Sequence, residues 1–325
     1  MFSITKNFHV IHMTDDLQGL DAWYDDVFSV HRFMKPSYLP PEVRDASLVL
    51  VGDLCIEPLA PSFHVEGWES MPLGRFFTGR GRRWHSIAWY VDSREGLAEL
   101  YHRLQEADVR LFGTGGAKQT DAATLGALFT HPRDTSTQLE FVPGPRKPTT
   151  KLPPAEYAGA MGLSDPRFEP GYNPAWWSDH HPLQLVNSSH VTVAVNDLDR
   201  ARDVYTRLLK GRLLHEGAVE ITQTTSAFVA VGEDLIVELA KPLDESSPIG
   251  SDVARLGENF YSLTFKVRDL GAAETYLASK GVKTTANDGS TFFTDPDTTW
   301  GVVMGFTTAT IPNDTRKDWA VSRDS

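Results

Sequence analysis

His9-Val-Ile-His-Met-Thr-Asp-Asp-Leu17 and His190-Val-Thr-Val-Ala-Val-Asn-Asp-Leu198 are two copies of one phrase, 181 residues apart. In each, an apolar strand-like run reaches an Asp-Leu pair. The parallel continues past the strand. Leu20, Trp23, Tyr24, Val27 and Phe28 recur at helical spacing, and Ala201, Val204, Tyr205, Leu208 and Leu209 fill the same five places. Later strands close alike, on Cys-Ile-Glu57-Pro and Ile-Val-Glu238-Leu.

A second pair of copies follows the first. His85-Ser-Ile-Ala-Trp-Tyr-Val91 parallels Tyr261-Ser-Leu-Thr-Phe-Lys-Val267, and helical faces come next, at Leu97, Leu100, Tyr101 and Leu104 and at Ala273, Tyr276 and Leu277. Both then meet a proline turn, Phe129-Thr-His-Pro-Arg-Asp134 and Phe293-Thr-Asp-Pro-Asp-Thr298, before a final strand through Leu139-Glu140-Phe141 or Val303-Met304-Gly305. The chain therefore reads as an α+β protein of four βαβββ modules paired into two domains. The expected bounds are 1–145 (modules 4–62 and 83–145), a proline-rich linker at 146–187, a second domain at 188–310, and a polar tail at 311–325. Trp176 and Trp177 are expected to pack within the linker.

Composition narrows the function. With 325 residues the chain is too long for one ordinary core. A net charge of −12 repels phosphate backbones and argues against nucleic acid as a partner. The lone Cys55 excludes an internal disulfide framework and fits a reducing compartment. No apolar run reaches the roughly 20 residues of a membrane span, and no signal-like stretch leads the chain. The expectation is a cytoplasmic protein with a small-molecule substrate, no nucleic-acid or membrane partner, and room for homo-oligomerisation.

Paired βαβββ modules, a first-strand His followed by Asp-Leu, and the His-Pro-Arg-Asp-Thr turn before Glu140 together resemble the vicinal-oxygen-chelate superfamily. Glyoxalase I, methylmalonyl-CoA epimerases and extradiol dioxygenases are among its members. The resemblance implies a cupped sheet around a metal, with ligands from the first and last strands of each module. On this chain those positions are His9, Glu57, His85 and Glu140. In the other half they fall on His190, Glu238, Tyr261 and Met304, where a phenol and a thioether are poor ligands for a hard divalent ion. One ion per chain (Fe, Mn, Co, Ni or Zn) is expected, in the N-terminal half. Four-module extradiol dioxygenases, by contrast, use their C-terminal half.

Two imidazoles and a carboxylate leave open positions for a substrate with adjacent oxygens. A fourth ligand, Glu57, leaves fewer positions for dioxygen and favours lyase, isomerase or epimerase chemistry with an enolate or alkoxide. Glu57 and Glu140 are the candidate catalytic carboxylates. Glu57 also reads as a strand feature, because its copy Glu238 sits in the half without a full ligand set. The alternatives are an Fe(II) extradiol-type dioxygenase using His9, His85 and Glu140, and a metal-free binding protein of the bleomycin-resistance type. Strand alternation turns His12 away from His9; Trp84, Trp89 and Phe141 read as core residues first, although Trp89 shares the strand parity of His85 and could line the pocket. His131, before Pro132, reads as a turn residue with a hydrogen-bonding role.

Overall fold

A computed structural model describes residues 1–118, 121–122, 125–144, 165–169 and 171–316; the linker prolines Pro145, Pro148, Pro153 and Pro154 lie outside them. Two eight-stranded mixed sheets form the molecule. The first runs from β1 (Ile4–Met13) through β2 (His31–Leu39), β3 (Arg44–Val51), β4 (Leu54–Pro61), β5 (Arg83–Val91), β6 (Leu111–Phe112), β7 (Leu128–Thr130) and β8 (Gln138–Pro143), in the spatial order β2-β3-β4-β1-β5-β8-β7-β6. The second repeats that order with β9 (Leu185–Ala194), β10 (Arg212–Val219), β11 (Thr224–Val231), β12 (Leu235–Pro242), β13 (Asn259–Val267), β14 (Thr284–Asn287), β15 (Thr291–Thr294) and β16 (Val303–Thr307). Four modules in two pairs is the architecture read from the repeats.

The Asp-Leu pairs are helix starts. Asp16 accepts a hydrogen bond from the Gly19 amide to cap α1 (Leu17–Phe28), and Asp197 accepts one from Arg200 to cap the helix beginning at Leu198. Each satisfies an amide that a first helical turn leaves without a partner. His131 likewise accepts from the Arg133 amide.

One hydrophobic core spans both halves. It takes in α1 residues Leu20, Tyr24 and Phe28, Leu97 and Leu104 of α3 (Arg94–Glu106), and Tyr205 and Leu277 from the second half. Trp84 is buried at the junction, stacked on Phe260 at 5.3 Å, and its indole N–H donates to the Val303 carbonyl at 3.0 Å. The second faces of the two sheets carry separate clusters. In the N-terminal sheet, Ile11, Met13, Ala46, Leu48, Leu50, Cys55 and Leu59 pack beneath Leu73 of α2 (Pro72–Arg80).

The segments read as linker and tail are partly docked. Trp177 is buried and donates to the Phe28 carbonyl at 2.7 Å, whereas Trp176 is half-exposed. Asp165 and Arg167 form a buried ion pair at 2.5 Å, and Arg167 also donates to the carbonyls of Phe8 (2.8 Å) and Asp53 (3.0 Å). At the other end, Arg316 pairs with Asp314 at 2.9 Å and donates to Ser189 (2.6 Å) and Asp234 (2.9 Å). Phe8 and Ser189, and Asp53 and Asp234, are each separated by the same 181 residues as the main repeat. An Asp-x-Arg clamp thus completes each half. Residues 311–316 belong to it rather than to a free polar tail, and β9 begins at Leu185, inside the stretch read as linker.

Candidate metal centre

A register irregularity on the first strand aims His9. Between Asn7↔Trp89 and Val10↔Ile87 the β1–β5 pairing slips by one residue, so Phe8 and His9 fall within a bulge. Val10 packs in the shared core and Ile11 in the cluster on the opposite face, and His9 joins the Ile11 side. Glu57 pairs with Ile11 on β4, and Glu140 pairs with Ala88 on β8.

His9 Nε2 lies 3.1 Å from Glu57 Oε2 and 3.3 Å from Glu140 Oε2. His9 and Glu57 are fully buried and Glu140 nearly so. Among the described residues neither His9 nitrogen nor Glu57 Oε2 makes a hydrogen bond of good geometry, although Nε2 stands within ion-pair reach of both carboxylates; buried polar atoms left so are costly unless a proton or another partner completes the contact. The other Glu57 oxygen accepts from Arg44, whose Nε is 2.5 Å from Glu42 Oε2. Arg44 is itself nearly buried.

Three carboxylates, Glu42, Glu57 and Glu140, share this volume with one guanidinium, which leaves two negative charges when the imidazoles are neutral. Burial disfavours a charged His9 ring, but Glu57 and Glu140 outweigh it and raise the His9 pKa. Burial also raises the Glu42 carboxyl; Arg44 opposes this, and Glu140 and Glu57 add to it. A divalent ion would cancel the same charge that otherwise calls for protons. One imidazole and two carboxylates are donor types that a divalent cation takes, although among the described residues no group of three or more His, Cys, Asp or Glu side chains is arranged as it stands to hold a metal ion.

His85 is placed differently. Among the described residues no hydrogen bond or ion pair joins it to His9, Glu57 or Glu140. Its Nδ1 is 3.0 Å from Ser86 Oγ and its ring packs edge-on against Phe76 of α2 at 4.3 Å. Burial, then Arg44, Arg80 and His9, push its pKa down to about 3, so the ring is neutral and has a lone pair at neutral pH. Trp89 does not line this face. A second register slip between Val10↔Ile87 and His12↔Trp84 breaks the alternation, and Trp89 stacks on Phe141 in the shared core. His12 points away from His9 as expected, bonded to Tyr24 Oη at 2.8 Å and to the Trp300 carbonyl at 3.1 Å.

The second half shows what the same scaffold does without this demand. His190 and Glu238 hold the places of His9 and Glu57, 3.4 Å apart. Here Thr192 (2.6 Å) and Ser226 (2.7 Å) donate to both Glu238 oxygens. Burial would raise Glu238, yet His190 and the two hydroxyls hold its pKa below the usual range. By strand register, Thr192 matches Ile11 and Ser226 matches Ala46, so Glu57 has neither hydroxyl. The counterpart of Glu140 is Gly305, one residue beyond Met304: Ala88 pairs with Glu140, and Thr264 with Gly305. Met304 points into the shared core. A Cβ on Gly305 would meet Thr264 Oγ1 at 2.4 Å, so no longer side chain fits there without a shift.

Arg44 and Glu42 were not singled out from the sequence. Arg44, Ala46, Leu48 and Leu50 share one strand parity, and a charge in line with three core residues is the signal that could have found it. Hollows of about 240 Å³ beside Arg82 and Trp300, and about 390 Å³ beside Phe2 and Lys210, lie elsewhere on the surface.

Residues 189–295 match the family model described as Glyoxalase/Bleomycin resistance protein/Dioxygenase superfamily. Over 98% of this chain and 96% of the other, the fold is similar to that of a 4-hydroxymandelate synthase variant from Streptomyces coelicolor, at a TM-score of 0.64 and 12% identity. Methylmalonyl-CoA epimerase from Mycobacterium tuberculosis matches 38% of this chain and 87% of its own at 29% identity, with a TM-score of 0.35. The Streptomyces coelicolor epimerase in complex with 2-nitronate-propionyl-CoA matches 38% and 96% at 22% identity, also at 0.35. No curated protein matches the chain. No described helix is long and apolar enough to cross a membrane.

Proposed function

We propose that this chain, a member of the glyoxalase/bleomycin resistance protein/dioxygenase superfamily by its fold and by the match of residues 189–295, is a metal-dependent enzyme that moves a proton beside a carbonyl of a small substrate. The observation that carries this reading is the convergence of His9, Glu57 and Glu140 in a buried volume, where both His9 nitrogens and Glu57 Oε2 lack a well-formed hydrogen bond among the described residues. His9, Glu57 and Glu140 would hold the ion, and His85, neutral and on the neighbouring strand, is the fourth donor if its ring turns inward. A divalent ion there supplies Lewis acidity toward adjacent substrate oxygens.

The remaining roles belong to the protein. Arg44 holds one Glu57 oxygen, fixing which lone pair faces His9. Glu42 is the carboxylate without a contact to His9; its side chain is 16% exposed and its pKa is raised by burial. It is therefore placed to take a proton from a substrate carbon and return it, with Arg44 stabilising its charged form. This moves the acid–base role from Glu57 and Glu140, both of which face His9, to Glu42.

The test is proton exchange without oxygen. Protein loaded with Co²⁺ or Zn²⁺ is incubated under nitrogen in D₂O with a panel of 2-substituted carbonyl and CoA-thioester compounds, and loss of the α-proton is followed by NMR. The expected result is exchange with at least one compound. Ring cleavage of a catechol with stoichiometric oxygen uptake would overturn the reading in favour of a dioxygenase. Tight binding of organic ligands by metal-free protein, with no metal uptake, would make it a binding protein.

A further inference from the structure

The Asp-x-Arg clamp lies against the bulge that carries His9. A β-bulge leaves backbone groups outside the ladder, and the bulged strand keeps its shape only if something else binds them. Arg167 donates to the Phe8 carbonyl, the peptide group leading into His9, while its other terminal nitrogen donates to Asp53 in the turn between β3 and β4. Asp165 fixes the guanidinium through both oxygens, with Oδ1 3.0 Å and Oδ2 3.1 Å from Nε. Tyr90 adds a hydrogen bond to Asp165 at 3.3 Å, from the strand opposite the bulge. One buried side chain thus ties the His9 backbone to Asp53 in the β3–β4 turn, four residues before Glu57 on the same hairpin.

The second half contains the same device without the ligand set. Its β9–β13 pairing slips between Ser188 and His190, and Arg316 donates to the carbonyls of Ser188 and Ser189 there. If the clamp were only a strand fastener, the two arginines would be equivalent. They differ in what the bulge presents: an unsatisfied His9 among carboxylates, or a His190 paired with a hydroxyl-bonded Glu238.

We infer that Arg167, set by Asp165, is a positioning residue for metal binding: it fixes the bulge that holds His9 Nε2 in line with Glu57 and Glu140. The inference rests on the metal reading above. Partners that orient a ligand commonly contribute about 10–100-fold in metal affinity.

The experiment compares Arg167→Met, Arg167→Lys and Arg316→Met in the full chain. Co²⁺ affinity is measured by titration, the Co²⁺ absorption spectrum is recorded, and thermal unfolding of each metal-free protein is followed. Arg167→Met is expected to weaken Co²⁺ binding at least tenfold and to alter the spectrum, with Arg167→Lys recovering part of the loss. Arg316→Met is expected to lower the unfolding temperature as much while holding Co²⁺ affinity within twofold of wild type. Equal affinity losses from Arg167→Met and Arg316→Met, or none from either arginine variant at 167, would overturn the inference while leaving the metal reading intact. Wild type that binds no Co²⁺ would overturn the metal reading, and the inference with it. Should Arg167→Met fail to fold, Arg167→Lys and Asp165→Asn carry the comparison: an unchanged affinity and spectrum in both would overturn it.

Discussion

Arg44→Met is expected to destabilise the metal-free protein by about 3–5 kcal/mol at neutral pH, the range for removing one partner of a buried ionic group. The guanidinium bonds Glu57, pairs with Glu42 and lies within the field of Glu140, so its loss leaves three carboxylates facing one another in a nearly dry volume. The pH dependence has a definite sign. Glu42 is already raised by burial with Arg44 in place, and removing the cation, which opposes that rise, raises it further. A group raised on folding favours the fold when protonated. Its contribution is present below the unfolded carboxylate range and is lost as pH rises through the folded value. The variant should therefore regain stability near pH 5, and at neutral pH on addition of Co²⁺ or Zn²⁺. Denaturant unfolding at both pH values checks this. Wild-type stability at neutral pH without metal would show that the carboxylates are not charged together.

Glu42→Gln is expected to lower kcat by about 10²–10⁴-fold once a substrate is known, the usual worth of a positioned acid–base group. Glutamine retains an acceptor for Arg44 but cannot take a proton. Since Glu42 pairs with Arg44 and not with His9, metal affinity should stay within a few-fold of wild type. Loss of the ion in this variant would make Glu42 a ligand and remove it from the proton-transfer role. Retained activity would return that role to Glu57 or Glu140.

The architecture was legible because it is written twice. A constant offset of 181 residues carries β1, the Asp-capped helix and the strand ending in Glu57 into β9, its helix and Glu238. The resemblance to the vicinal-oxygen-chelate pattern singled out His9, Glu57, His85 and Glu140; the fold sets His9 beside Glu57 and Glu140 and leaves His85 against Ser86 and Phe76. What escaped the reading depends on local geometry that periodicity does not encode. Trp89 lies in the core, the role read for it first, and a register slip explains why it does so despite sharing nominal parity with His85. Met304 was set against Glu140 by counting along the strand, whereas the ladder aligns Gly305. The Asp-x-Arg clamps recur at an offset of 149 residues, because the segments joining them to their domains differ in length, so a scan at 181 passes over them. Arg44 and Glu42 lie in a strand and turn without a charged copy in the second half, where Thr224 stands in the place of Arg44.

The comparison between halves also gives a chemical reason for the asymmetry. Each carboxylate has an imidazole beside it, but Glu238 also has two hydroxyl donors, whereas at Glu57 Ile11 and Ala46 hold those places and a guanidinium binds the carboxylate instead. A buried carboxylate stripped of neutral donors is costly unless positive charge replaces them.

The central claim is one divalent ion per chain, held by His9, Glu57 and Glu140. Elemental analysis after Co²⁺ loading and gel filtration tests it most directly, on wild type, His9→Ala and His190→Ala in parallel, with circular dichroism confirming that each is folded. The account predicts one ion in wild type, one in His190→Ala, and almost none in His9→Ala. An ion retained in folded His9→Ala and lost from His190→Ala would place the site in the other half and contradict it.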